Sequence, residues 1–470
     1  MSAGSPAPTP RSARTIALIV AAAYFMETLD GTVVNTALPA LALAFGATPL
    51  ALSAGITAYL VAMAVFIPAS GWCAERFGAR TVFATAVGVF TLASLGCGAA
   101  GSLPPFIAAR VVQGAAAAFM SPVGRLVVLH ETPKNRLIEA LGTIVWPGLI
   151  APVIGPVIGG ALIGWLSWRW IFFLNIPLGL AGIALVLRFI PRHPPRRDVR
   201  LDLRGFVLTG VALAALVEGL TRLGERSGSI RLAACLTAAG LVFGVLAVRH
   251  ARRDAAPMLA LDALRVRSFA FAAAGAGFAA RIAINAAPFL LPLMFQIGFD
   301  MSALQAGVMV LIYMSGNLAM KSVTTAVLRR YGFRDVLFVN GLLCAASLLA
   351  CGLLAPGTAR LALAATLFVA GMTRSMNFTA ISTLTFVDIE AADRAGASAL
   401  STTLQQVAQA LSVALAAAAL ALSQSTHPGA PLRLADFHHV WFALALVMAL
   451  AALDALRLPR DTGAAASARP

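Results

Sequence analysis

Two carboxylates stand where a carboxylate is costly. Glu27 and Asp30 interrupt an apolar run that begins near Thr15 and continues to Pro39. They are three residues apart, so on a helix they hold neighbouring positions of one face. A charge placed in hydrocarbon is strongly unfavourable, so acids within a membrane span face a bundle interior or a water-filled path. The chemistry open to such a pair is reversible proton binding. The plainer alternative is a fixed pairing with a buried arginine, for which Arg110 is the candidate. Arg110 lies about five residues from the outer end of its run and Asp30 about ten from the outer end of its own. At a rise of about 1.5 Å per residue their depths differ by roughly 7 Å, within reach of an arginine side chain. Glu27 then lies deeper, in more apolar surroundings. The expectation is that Glu27 and Asp30 share the proton-binding work while Arg110 senses or displaces the proton.

The elements that must position these groups follow from composition. Of the 470 residues, 60% are hydrophobic and 11% charged, too little charge for a soluble surface of this size. Apolar segments long enough to cross a bilayer recur along the whole chain. They are continuous runs rather than the short alternating strands of a barrel, so the fold class is an all-α polytopic membrane protein. Fourteen spans are predicted. Helices 1 to 6 cover 15–43, 50–72, 80–100, 105–129, 137–164 and 168–190. Helices 7 and 8 cover 204–221 and 231–249. Helices 9 to 14 cover 268–297, 303–327, 335–355, 360–386, 395–423 and 437–457. An even count puts both termini on one side. Lys and Arg crowd the loops of that side, so both termini are expected in the cytoplasm. The net charge of +16 therefore reflects membrane topology and lipid contact rather than a nucleic-acid partner.

Two basic clusters flank helices 7 and 8: Arg192, Arg196, Arg197, Arg200 and Arg204, then Arg249, Arg252, Arg253, Arg265 and Arg267. Such clusters suit anionic lipid headgroups. They also mark helices 7 and 8 as an insertion between two six-helix halves. The expected organisation is a cytoplasmic tail at 1–14, an N-terminal half at 15–190, a linker with the inserted pair at 191–267, a C-terminal half at 268–457 and a tail at 458–470. The halves carry a trace of repetition: Glu75-Arg76-Phe77-Gly78-Ala79-Arg80 after helix 2 is echoed by Arg329-Arg330-Tyr331-Gly332-Phe333-Arg334 after helix 10. Internal repeats of this kind build transporters with a substrate site near the midplane.

Other candidates follow the same logic. Helix 5 holds Gly142, Pro147, Gly148, Pro152, Gly155, Pro156, Gly159, Gly160 and Gly164. Small residues let membrane helices approach closely, and neighbours satisfy the bonds that proline removes. A tight, bendable seam is expected. In the second half Arg281, Lys321 and Arg374 fall within spans, with Asn285, Asn317 and Asn377 as polar lining. Weighed against two acids, of which Asp30 is paired with Arg110, this half is left positive. Such a cavity suits an anion, a carboxylate or an anionic metal chelate, better than a lipophilic cation. The five cysteines and six histidines match neither a disulfide framework nor a metal site. There is no phosphate-cradling Gly-x-x-x-x-Gly-Lys run. No enzyme, cofactor or ATP-driven activity is expected.

Several motifs carry a resemblance. Leu29-Asp30-Gly-Thr-Val-Val-Asn35-Thr-Ala-Leu-Pro39 resembles the helix-1 motif of the fourteen-helix drug:proton antiporters of the major facilitator superfamily. Gly71-Trp-Cys-Ala-Glu75-Arg76-Phe-Gly78-Ala-Arg80 resembles the superfamily's helix 2–3 loop, Arg110-Val-Val-Gln113-Gly114 its helix-4 motif, and Gly155-Pro156-Val-Ile-Gly159-Gly160 the antiporter motif. The likeness continues through Ser167-Trp168-Arg169-Trp170 to Asn175-Ile-Pro177, and is strongest to the MdtD-type multidrug-resistance branch. Glu75 stands where the family has Asp, and Ala151 where it has Gly.

The resemblance implies a major-facilitator fold of two six-helix halves plus two inserted helices. It implies proton-coupled efflux of small molecules across a bacterial inner membrane by a monomer. Asp30 and Arg110 are implied for proton coupling, to which the position of Glu27, not required by the motif, adds a third group. Arg281, Arg374 and Lys321 are implied for the substrate cavity, with Asn285, Asn377 and Gln113 as its expected polar lining. Gly71, Glu75, Arg76, Gly78 and Arg80 form the implied gating loop, a latch between the inner ends of the halves. The partners implied are a small-molecule substrate, protons and the lipid bilayer. A proton-coupled importer on the same fold, or a non-transporting receptor or scaffold, are the alternatives.

Overall fold

A computed structural model describes residues 10–133, 136–192, 200–223, 230–254, 257–390, 393–427, 430–459 and 462. Arg196 and Arg197 of the first basic cluster, and most of both expected tails, lie outside these residues. Among the described residues fourteen helices are long and apolar enough to cross a membrane. They are α1 (Arg14–Phe45), α2 (Pro49–Phe66), α3 (Ala79–Ala99), α4 (Leu103–Glu131), α5 (Gly142–Trp165), α6 (Trp170–Phe189), α7 (Leu203–Arg222) and α8 (Ile230–Ala251). The others are α9 (Arg267–Gly298), α10 (Ala303–Tyr331), α11 (Phe333–Gly352), α12 (Arg360–Val387), α13 (Gly396–Gln424) and α14 (Leu434–Arg457). Each matches a predicted span to within a few residues except α2, which stops at Phe66; the last residues of predicted helix 2 (50–72) belong to a separate short helix, Ala69–Phe77. Helical structure ahead of α1 starts at Pro10, inside the stretch expected as tail.

The predicted continuous helix 9 is broken. It consists of Arg267–Ala273, Ala276–Asn285, Ala287–Leu293 and a π turn at Met294–Gly298. The reason lies in Gly275, Gly277, Pro288 and Pro292. A Cβ at Gly277 would stand 2.7 Å from the backbone of Ala272. Pro288 has no N–H for the carbonyl four residues earlier, which is that of Ile284.

The two loops that repeat in sequence also repeat in conformation. Gly78 has φ 86° and Gly332 has φ 77°, both in the left-handed region, at the junction between successive helices. Only glycine adopts this region without strain.

Helix α5 is wedged between α1 and α10. Its small residues explain how. A Cβ on Gly155 would fall 2.5 Å from Thr32 Oγ1, and one on Gly159 would fall 2.8 Å from Val33 of α1. On the other flank, a Cβ on Gly160 would fall 2.5 Å from the Ala303 carbonyl oxygen of α10. Gly307 returns the contact against the backbone of Pro156. This seam lies toward the face opposite the chain termini, the distal face. There Gln296 of α9 also donates to the Thr36 carbonyl of α1 at 3.1 Å.

Helices α7 and α8 pack chiefly on each other, and α7 leans on α2 and α13. Phe206 meets Phe66 with ring centroids 5.4 Å apart. At the base of this pair, Asp202 accepts from the Gly205 N–H (2.8 Å) and the Met258 N–H (3.2 Å), and lies 2.8 Å from His250 Nε2. Asp254 completes a group whose atoms lie close enough to hold a metal ion. Asp202 instead serves as a hydrogen-bonded clamp between the start of α7 and the end of α8.

Candidate functional site

Asp30 of α1 sits at the centre of a buried polar cluster. Its Oδ2 receives Arg110 Nη1 of α4 at 2.6 Å. Its Oδ1 accepts from Gln113 Nε2 at 3.0 Å and from Asn175 Nδ2 of α6 at 2.9 Å. Ser94 of α3 accepts from Gln113 at 2.7 Å and from Asn175 at 3.2 Å. Arg110 also donates to Gln113 Oε1 at 2.6 Å and lies over the Tyr59 ring of α2 at 4.2 Å. All these side chains are buried, Asp30 at 2% exposure and Arg110 at 1%. Five helices of the first half thus meet in this cluster, two of them, α4 and α6, bonding the carboxylate itself. Such a network has few low-energy alternatives, because an unpaired buried charge is strongly unfavourable. Close packing positions it: a Cβ on Gly114 would run into the backbone of Tyr59.

Glu27 belongs to a different set of contacts. Ser121 donates to Glu27 Oε2 at 2.7 Å, and Arg125 lies close enough to act electrostatically on both Glu27 and Tyr24. The two acids therefore bridge α1 to α4 at two levels, through separate partners. Gln113, expected in the substrate cavity, lies instead within the Asp30 cluster.

In the second half, Arg281 and Lys321 share the ring of Phe378, at 5.3 and 5.6 Å from its centroid. Arg281 Nη2 donates to Ser382 at 3.2 Å, and Lys321 Nζ to Thr379 at 2.7 Å. Arg374 Nε donates at 3.2 Å to the Ile284 carbonyl, the one left without its helical partner by Pro288. Its Nη2 lies 3.5 Å from Asn285 Oδ1. The break in α9 and the position of Arg374 are thus one feature. Asn377 turns away, donating to the Asn340 and Thr373 carbonyls at 3.3 Å. Asn317 and Lys321 line a crevice between α5 and α10 with a cavity volume of about 60 Å³.

In the helix 2–3 loop, Ala69–Phe77 forms a short helix packed on α3 and α4. Arg80 reaches the Leu187 carbonyl at the end of α6, within the same half. Arg76 is half-buried, and Gly71 and Glu75 are exposed.

The Major Facilitator Superfamily model matches residues 20–413. The chain belongs to the major facilitator superfamily. MdtD of Escherichia coli O9:H4 (strain HS), a protein whose name ascribes it to multidrug resistance, is 36% identical over 459 residues, 96% of each chain. Two solved structures share the fold. A D-xylose–proton symporter superposes with TM-score 0.67 at 15% identity, covering 96% of this chain and 98% of its own. A bacterial homologue of the human lysosomal transporter Spinster, inward-facing and unoccupied, superposes with TM-score 0.65 at 14% identity, covering 98% and 100%. The protein is a multi-pass membrane transporter of this superfamily, not an enzyme.

Ser94, Tyr59 and Ser121 were not singled out in the sequence, nor were Phe378, Thr379 and Ser382. Asn175 was marked only as part of the resembling run that ends at Pro177, without a role. A serine or threonine in a span most often bonds its own helix, as Thr91 does to the Val87 carbonyl at 2.7 Å, and so carries no mark of a site.

Proposed function

We propose that this superfamily member is a proton-coupled exporter of small molecules, an antiporter of the bacterial inner membrane acting as a monomer with both termini in the cytoplasm. Its working parts are two six-helix halves, 15–190 and 268–457, with α7 and α8 inserted between them. The observation that supports this most is the buried Asp30–Arg110 pair, set in a polar cluster drawn from five helices. A proton arriving at Asp30 removes the charge that holds Arg110 and competes with the donors Gln113 and Asn175. The packing of α1 against α4 and α6 is thereby loosened. Glu27, one turn away on Ser121, provides a second proton position. The helix 2–3 loop latches the inner ends in one state, and the glycine seam of α5 lets the halves rock without a leak. A proton shifts such an equilibrium only by its differential affinity for the two states. The gradient supplies about 2.3 kcal/mol per charge for each ~100 mV, and about 1.4 kcal/mol per pH unit.

Everted vesicles with an acid interior test the reading. An antiporter dissipates the pH gradient when ethidium or naphthoate is added outside, and Asp30→Asn abolishes the response. An importer leaves the gradient intact under the same addition, and a receptor or scaffold gives no flux in either direction.

A further inference from the structure

Among the described residues Arg281, Lys321 and Arg374, the cations within the spans of the second half, have no acidic partner. Among the described residues the ion pairs join Arg110 to Asp30, and otherwise lie in the inserted pair and near the helix ends. Arg281 is 2% exposed, and two of its donor nitrogens, Nε and Nη1, have no hydrogen-bond partner. A guanidinium cannot shed its proton to relieve this. A buried cation left in that condition is strongly destabilising, so a structural role alone gives no reason to keep it.

Arg374 is differently placed, because two of its nitrogens face the Ile284 carbonyl and Asn285. The donors left over are those of Arg281 and Lys321, which meet at one aromatic ring beside the Thr379 and Ser382 hydroxyls. Planar guanidinium donors match a carboxylate in bidentate fashion. From Lys321 the crevice between α5 and α10 continues along Leu149, Pro152, Val153, Met314 and Leu318, a wall that is apolar except for Asn317.

We propose that Arg281 and Lys321 form the seat of an oxyanion head, and that the cargo is an amphipathic organic anion whose apolar body lies along this wall. The inference rests on the transport reading and names its substrate class. The crevice of about 60 Å³ is small beside an ordinary drug-sized pocket, so the halves must part to admit the body. A lipophilic cation would face two like charges at the head position, with no acid to offset them.

The test is made at equilibrium, without a gradient, so that it fails separately from the antiport reading. Purified full-length protein in nanodiscs is titrated with naphthoate, naphthamide and naphthylmethylammonium. The proposal predicts that naphthoate binds at least tenfold more tightly than the other two. Arg281→Gln and Lys321→Ala each weaken it about tenfold or more, and Arg281→Lys recovers part of the loss. The unliganded melting temperature of Arg281→Gln is expected to equal or exceed wild type. Equal binding of the ammonium compound, absence of naphthoate binding to wild type, or unchanged naphthoate affinity in Arg281→Gln would overturn it. A large fall in melting temperature for Arg281→Gln would instead assign the arginine a purely structural part.

Discussion

Replacing Gly160 by alanine acts on a single seam, the one between α5 and α10. The added Cβ would stand 2.5 Å from the Ala303 carbonyl oxygen and 2.7 Å from Leu304 Cα, both backbone atoms of α10. Ordinary contact begins near 3.4 Å, so α5 and α10 must part by roughly 0.9 Å, with an overpacking penalty of about 1–3 kcal/mol. Because the seam closes the distal face, the penalty falls on the distal-closed state. At about 1.4 kcal/mol per tenfold, the equilibrium shifts roughly 5- to 150-fold toward the distal-open state. Spin labels at Leu166 and Val308, in a background without the native cysteines, report the separation of the two helices by electron resonance. Gly142→Ala and Gly164→Ala are controls on the same helix, since a Cβ at either meets nothing within 4 Å. The variant should show a growing long-distance population and the controls none. An unchanged distance distribution in Gly160→Ala would refute the view that α5 closes this face by backbone contact.

Three further outcomes follow from particular contacts. Asn175→Leu removes one neutral donor from the buried Asp30 and should lower stability by about 2 kcal/mol, read as a fall in melting temperature; no fall would mean that the amide is dispensable. Pro288→Ala returns an N–H to the Ile284 carbonyl, displaces Arg374 from it and should slow transport without loss of folded protein, measured as flux per molecule of purified transporter. Burial pushes the Asp202 carboxyl up, but the Gly205 N–H, His250 and the Met258 N–H outweigh it, leaving the group below its ordinary value. Its contribution is therefore complete above the unfolded value of about 3.9 and is lost as pH falls through the folded one. Asp202→Asn should be less stable than wild type at neutral pH, and the difference should shrink steadily as pH falls below about 4; a constant difference would assign the effect to something other than the charge.

How much of this was legible before the fold depended on the kind of signal. The spans were readable because bilayer thickness imposes a length on every apolar run, and each of the fourteen left one. Asp30 and Arg110 were readable as neighbours because helix rise converts residue number into depth. Rotation about a helix is harder to infer. Gln113 and Asn377 were both assigned to the substrate cavity, yet Gln113 turns into the Asp30 cluster and Asn377 toward Asn340. One step around a helix moves a side chain by about 100°, and near-uniform apolarity leaves no moment to orient it. The break in α9 was foreshadowed by Gly275, Gly277 and Pro288, but a membrane helix tolerates such residues, so their presence alone did not say that the chain would part there. Arg374 was found as an intramembrane cation, while its partner, a carbonyl released by proline on another helix, was not predicted.

The most direct measurement compares gradient-driven accumulation with gradient-free exchange in proteoliposomes. It uses whichever of ethidium or naphthoate the wild type carries, in wild type, Asp30→Asn and the Asp30→Asn/Glu27→Gln double variant. Loss of proton-driven accumulation with exchange retained is the predicted result, because binding survives while coupling does not. Accumulation at the wild-type level in the double variant would contradict the assignment of the proton to these two acids.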